Sequence, residues 1–189
     1  MSKKHQTLGD IYISVIDLLE QQEMRYMIIG GLAVGLIGEA RLTQDIDILV
    51  AVPKAGIDQL LTEARKQGFT FVSKKKVTED INLRGVFFLQ KDEFHIDFIM
   101  GTMPFEEEAF SRRKKIKFFN KNAYFPTPED LILFKLIASR PKDILDIQSI
   151  ILRHNVHLDR AYLRKWAHII SDDLQNRNIY QKLEDLLKE

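Results

Sequence analysis

Residues 27–50 read Met27-Ile-Ile-Gly-Gly31, then Leu32-Ala-Val-Gly-Leu-Ile-Gly38, then, after Glu39 and Ala40, Arg41-Leu-Thr-Gln-Asp45-Ile-Asp47-Ile-Leu-Val50. An apolar run stops at two glycines, a small-residue stretch follows, and a second apolar run opens on alternating carboxylates. Side chains two apart on a strand share a face, so Asp45 and Asp47 point one way and Ile46 and Ile48 the other. Adjacent carboxylates repel, and a fold gains nothing from them unless a cation or a proton sits between. Hard divalent cations take oxygen ligands, and Mg2+ commonly combines one or two carboxylates with substrate phosphates. Gly30 and Gly31 supply a turn where backbone can approach a ligand, with amides at the following helix start as phosphate donors. Taken alone, the glycine pair reads equally well as a tight strand-to-helix turn.

The bulk composition bounds this reading. The chain has 189 residues, 45% hydrophobic and 29% charged, which suits a globular protein with one domain or a domain and a helical extension. Its 28 basic and 27 acidic residues leave a net charge of +1, so overall charge does not draw it onto nucleic acid. Lys74-Lys-Lys76 and Arg112-Arg-Lys-Lys115 are the local patches that would meet RNA phosphates; otherwise they are solvated surface. The chain has no cysteine, which removes disulfides, thiolate nucleophiles and cysteine-ligated zinc, and fits a reducing compartment. Met1–His5 leads in without an apolar stretch, so no signal peptide is expected. No apolar run reaches the ~18 residues of a membrane span, and the expected location is the cytoplasm.

Periodicity places the motif in an α/β (α+β) arrangement. Residues 8–22 carry apolar residues at helical spacing. Tyr26–Ile29 and Asp45–Val50 read as strands, with a small-residue helix over Leu32–Ile37 between them. Ile57–Lys66 reads as a helix closed by Gly68, Phe69–Val72 as a strand, and Lys74–Lys76 as an exposed loop. Two strands follow, Leu83–Gln90 and Phe94–Met100, then a hairpin around Asn120-Lys-Asn122. From Thr127 the pattern turns helical, starting at a capping hydroxyl, a proline and two acids. Further helices are expected over Pro141–Leu152, Leu158–Ile170 and Leu174–Leu187. The division expected is a domain over residues 1–126 and a helical part over residues 127–189.

Phosphoryl transfer at paired metals usually needs a third acid. Phe94-His-Ile-Asp97-Phe-Ile-Met100 offers one: an apolar strand interrupted by Asp97, with Ile96 and Phe98 turned to the core. A lone mid-strand acid is costly to bury unpaired; the plainer account is an edge strand with a solvated Asp97.

These elements together resemble the nucleotidyltransferase fold of the DNA polymerase β superfamily. The match continues through Arg41-x-Thr43-x-Asp45-Ile-Asp47, Pro128-Glu-Asp-Leu-Ile-Leu-Phe-Lys135 and Arg140-Pro-Lys-Asp143-Ile-Leu-Asp146. In this it is similar to minimal bacterial nucleotidyltransferases of the AbiEii and MenT toxin type, over roughly residues 26–147. The resemblance implies a mixed sheet flanked by helices, with the C-terminal helical bundle completing the nucleotide site. It implies Mg2+ ions, two of them, with Mn2+ as the substitute, held by Asp45, Asp47 and Asp97 as catalytic and metal-binding acids. Gly30, Gly31, Arg41, Thr43, Lys135 and Asp143 would bind the nucleotide. Where many relatives carry Gly-Ser, this chain has Gly30-Gly31, so one hydroxyl toward the phosphates is missing.

Lys135 otherwise reads as a lysine snorkelling at the edge of the core, and Asp143 and Asp146 as acids complementing a helix dipole or positioning Lys135. The expected reaction moves NMP from an NTP to a hydroxyl of RNA, tRNA or protein, as the toxin of a toxin-antitoxin or abortive-infection system with an antitoxin partner. The alternatives are an antibiotic-type transferase acting on a small acceptor, and a non-catalytic nucleotide-binding module.

Overall fold

The computed structural model describes residues 6–188; the Met1–His5 stretch, expected not to be a signal peptide, lies outside them. Thr7 caps the first helix, α1 (Leu8–Gln21), accepting from the Asp10 backbone N–H while Asp10 accepts from Thr7 in return. Strand β1 (Arg25–Ile29) ends at the glycines, where α2 (Gly30–Ile37) starts. Strand β2 (Asp45–Ala51), helices α3 (Lys54–Lys66) and α4 (Lys74–Arg84), and strands β3 (Val86–Lys91) and β4 (Phe94–Met100) follow.

The sheet order is β1-β2-β4-β3, with β2 and β4 parallel and the two outer pairings antiparallel, a mixed sheet flanked by helices. Alternation sorts its two faces. Ile46, Ile48, Ile96 and Phe98 are fully buried on one face, where Phe98 stacks on Phe87 with ring centroids 4.6 Å apart. Asp47, Leu49, Asp97 and Ile99 share the other face, directly paired in register as Asp47 with Asp97 and Leu49 with Ile99.

Helix α5 (Pro104–Arg112) and a hairpin of β5 (Lys114–Phe118) and β6 (Lys121–Phe125) lead into α6 (Pro128–Ala138), α7 (Pro141–His154), α8 (Arg160–Asp173) and α9 (Asn178–Leu186). Thr127 caps α6 by accepting from the Asp130 backbone N–H. Buried Asp130 then accepts from the Tyr162 hydroxyl at 2.6 Å and from Arg112 Nε at 3.3 Å, tying α6 to α8 and α5. Among the described residues no helix is long and apolar enough to cross a membrane.

Several local expectations are corrected. Lys74–Lys76 is the first turn of α4, not a loop: Ser73 caps it, and Lys76 and Arg84 both grip Asp80 at four-residue spacing. Leu83 belongs to that helix, so β3 starts only at Val86. Phe69–Val72 makes a single bridge, Thr70 to Gln90, rather than a strand. The hairpin turns at Phe119 and Asn120, both at positive φ, ahead of Lys121. Helix α9 starts at Asn178, since Gln175 adopts positive φ and breaks the helical run at Leu174. Pro104–Arg112, read only for its basic end, is a helix started by Pro104.

Candidate active site

The ends of β1, β2 and β4, with α5 and α6, enclose a cleft of about 480 Å³ lined by Gly30, Asp47, Asp97, Glu106, Lys135 and Arg140 beside apolar Phe88, Ile99, Phe134 and Ile137. Its floor is the cross-strand pair Asp47 and Asp97. Burial pushes the Asp47 carboxyl upward; the Gly31 N–H and Lys135 pull it back and Asp45 adds to the rise, leaving it raised. Burial, with Asp47 and Asp45 adding to it, raises Asp97 to about 6. Two partly desolvated acids held side by side by the parallel register are a site short of positive charge.

Gly30 sits against this pair at φ +68, and a Cβ there would fall inside the Asp47 carboxylate. Only glycine fits both the left-handed backbone and the space. Gly31 donates weakly to Asp47 Oδ2 at 3.4 Å. A Cβ at Gly31 would stand 2.9 Å from Thr43 Oγ1 and 3.4 Å from Arg41 Nη2, so those two side chains fill the room that a side chain at 31 would need. The N-cap of α2, Ile29, offers no side-chain bond, so the long bond from Gly31 to Asp47 is the side-chain contact of this turn's amides among the described residues.

The cations behind the turn form one chain. Arg41 donates to Asp146 through Nε at 2.8 Å and Nη2 at 3.2 Å. Lys135, only 3% exposed, bonds Asp146 at 2.8 Å and Asp143 at 3.2 Å. Arg140 donates to Asp143 through Nε at 2.7 Å and its backbone N–H at 3.0 Å. Burial alone would raise both aspartates; Arg140 and Lys135 hold Asp143 below the usual carboxylate range, and Arg41 and Lys135 do the same for Asp146.

Of the residues expected in a site, Gly30, Asp47, Asp97 and Lys135 line one cleft, with Gly31, Thr43 and Arg41 packed around the same turn. Asp143 lies fully buried behind Lys135, where it holds the ammonium. Asp45 is exposed at the first position of β2, opposite His95, and is not part of the cleft lining. Among the described residues no group of three His, Cys, Asp or Glu side chains is arranged to hold a metal ion. Asp47 and Asp97 still fit the carboxylate share of a Mg2+ site whose other ligands are phosphate oxygens and water. Arg140 and Glu106 were missed as site residues: Arg140 appeared only inside a motif, and Glu106 reads as an ordinary first-turn acid.

Over residues 6–188 the chain matches the model of a family described as nucleotidyltransferase of unknown function. No curated protein sequence matches it. Solved structures share the fold. The lincosamide antibiotic adenylyltransferase LnuA, with lincomycin bound, is 16% identical at TM-score 0.52, over 78% of this chain and 98% of that one. The antibiotic-resistance factor ANT(2'')-Ia is 12% identical at TM-score 0.59, over 90% and 96%. An antigenic nucleotidyltransferase-like protein from Paracoccidioides brasiliensis is 18% identical at TM-score 0.54, over 94% and 92%.

Proposed function

We propose, from the premise that the chain belongs to this family of nucleotidyltransferases, that it moves NMP from an NTP to a hydroxyl of a small acceptor, with Mg2+ as cofactor. The observation that carries this reading is the Asp47–Asp97 pair, side by side beneath the Gly30 turn. The amides of α2 and the Arg140 guanidinium receive the phosphates. Asp47 and Asp97, with Asp45 at the start of the strand, would hold Mg2+, which when bound neutralises charge on the transferring phosphate. The acceptor oxygen attacks the α-phosphorus and forms the new P–O bond. The α–β bridging P–O bond breaks and pyrophosphate leaves. Asp97, beside Asp47 on the cleft floor, takes the acceptor's hydroxyl proton.

A small acceptor is favoured because the cleft has an apolar wall and the basic runs are largely occupied. Lys74 pairs with Asp58 at 3.4 Å and Lys76 with Asp80 at 2.9 Å. Arg112 bonds Asp130 and Glu129 and lies 3.9 Å over the Tyr162 ring. The second reading, an RNA or protein hydroxyl modified by an AbiEii/MenT-like toxin that an antitoxin restrains, is favoured by Lys114, Lys115 and Lys117, exposed along β5. Cytoplasmic residence belongs to the same proposal, since NTPs are found there and a chain without cysteine suits it. Incubation with α-labelled NTPs, ATP first, separates the readings by where label settles: on a small hydroxylated compound or on macromolecular RNA or protein. No label on any of them, with Mg2+ present, overturns both.

A further inference from the structure

Glu106 is the remaining acid of the cleft lining, and the transfer chemistry leaves it unused. It stands in the first turn of α5, where Oε2 accepts from the Thr102 backbone N–H at 2.5 Å and the Met103 N–H at 2.7 Å. Those bonds fix the carboxylate group and leave Oε1 without a hydrogen bond or ion pair among the described residues. The residue is 8% exposed and lines a cleft whose walls include Ile99, Phe134 and Ile137. A carboxylate fixed by two amides keeps the lone pairs of its other oxygen for a ligand, and an N–H donor bearing positive charge makes the stronger, charge-assisted bond there. A triphosphate is not that ligand, because a carboxylate repels it and Arg140 with the α2 amides provides the phosphate end. With Asp47 and Asp97, Glu106 makes the cleft attractive to a cation.

We propose that Glu106 is a second recognition pole of the cleft, accepting a hydrogen bond from an ammonium group of the acceptor, so that the preferred acceptor is a small molecule bearing both a hydroxyl and an amine. This rests on the NMP-transfer reading for the reaction, though not for the binding.

The test uses the full chain with 2-deoxystreptamine, an aminocyclitol, and myo-inositol, its nitrogen-free counterpart. Calorimetry measures the binding of each probe, and of ATP, to wild type and to Glu106→Gln. Glutamine keeps an oxygen for both backbone amides, and an unchanged thermal melt shows that the variant folds. The expected result is a preference of at least about tenfold for the amine probe in wild type, a charge-assisted bond's worth. Glu106→Gln erases the preference and leaves ATP affinity unchanged. Equal binding of the two probes by wild type overturns the proposal without recourse to any variant. So does a preference that survives in Glu106→Gln, or a variant that loses ATP affinity instead. If wild type prefers the amine but transfers no label from any NTP, the transferase reading fails and the recognition role of Glu106 stands.

Discussion

Replacing Asp97 by asparagine removes a charge that the metal-free fold holds against its own interest. Asp97 titrates at about 6 in the folded chain against 3.8 for an ordinary aspartate, chiefly through burial and then through the neighbouring Asp47 and Asp45. Between those values the folded state binds more protons than the unfolded state, so stability is highest below the lower value and falls as pH rises through the upper one. A displacement of about two units at ~1.36 kcal/mol each sets a ceiling of about 3 kcal/mol, and water at the cleft mouth brings the expected cost to about 1–3 kcal/mol. Urea unfolding followed by Trp166 fluorescence in EDTA, from pH 4 to 8, reads this directly. The stability of Asp97→Asn minus that of wild type is expected near zero at pH 4 and to grow to about 1–3 kcal/mol above pH 6.5. Mg2+ at pH 7.5 stabilises wild type more than the variant. A difference that is flat with pH, or an asparagine variant less stable than wild type at pH 7.5, refutes the reasoning.

Gly30→Ala forces a side chain into left-handed backbone at about 1–2 kcal/mol and into the Asp47 carboxylate at about 1–3 kcal/mol more. Denaturant melts should show a loss of about 2–5 kcal/mol, and displacement of Asp47 should lower kcat about 100-fold or more; a near-neutral variant would contradict the geometry. Lys135→Met leaves Asp143 and Asp146 with one cation each, Arg140 and Arg41, and is expected to cost about 3 kcal/mol, a drop in Tm of about 6–12 °C. An unchanged melt would mean that the buried ammonium is not structural. Arg140→Ala removes a half-exposed guanidinium from fully buried Asp143, which keeps Lys135 and the backbone N–H of residue 140, so stability should fall by about 1–3 kcal/mol. Its NTP affinity should fall about tenfold or more in a calorimetric titration, and unaltered affinity would remove Arg140 from the phosphate site.

How far the sequence anticipates all this depends on which interactions are local. Strands β1, β2 and β4 are legible because alternation writes their two faces into the chain, and the same alternation points Asp47 and Asp97 one way. The Gly30 turn is legible because an apolar strand running into paired glycines and small residues has few other uses. Helix α4 is not, since Lys74–Arg84 carries little apolar periodicity and is held by a serine cap and ion pairs around Asp80. The surroundings of Lys135 are half legible. Its helix reads well and Asp143 and Asp146 can be read as positioning it, but only the packing of α7 shows that both acids meet its ammonium in the interior. Glu106 escapes notice for a like reason: two amides from its own turn fix one oxygen, while only the tertiary fold opens the cleft beside it.

The central claim is that Asp47 and Asp97 together work on a nucleotide seated at the Gly30 turn. The most direct measurement is transfer of label from α-labelled ATP, in Mg2+, to the acceptor that wild type modifies, repeated with Asp47→Asn and Asp97→Asn at matched folded fractions. The account predicts a loss of at least about 1000-fold in both variants, as for removal of a group acting in the transition state, with thermal melts equal to or above wild type for Asp97→Asn. Label transfer by either variant at the wild-type rate would contradict it.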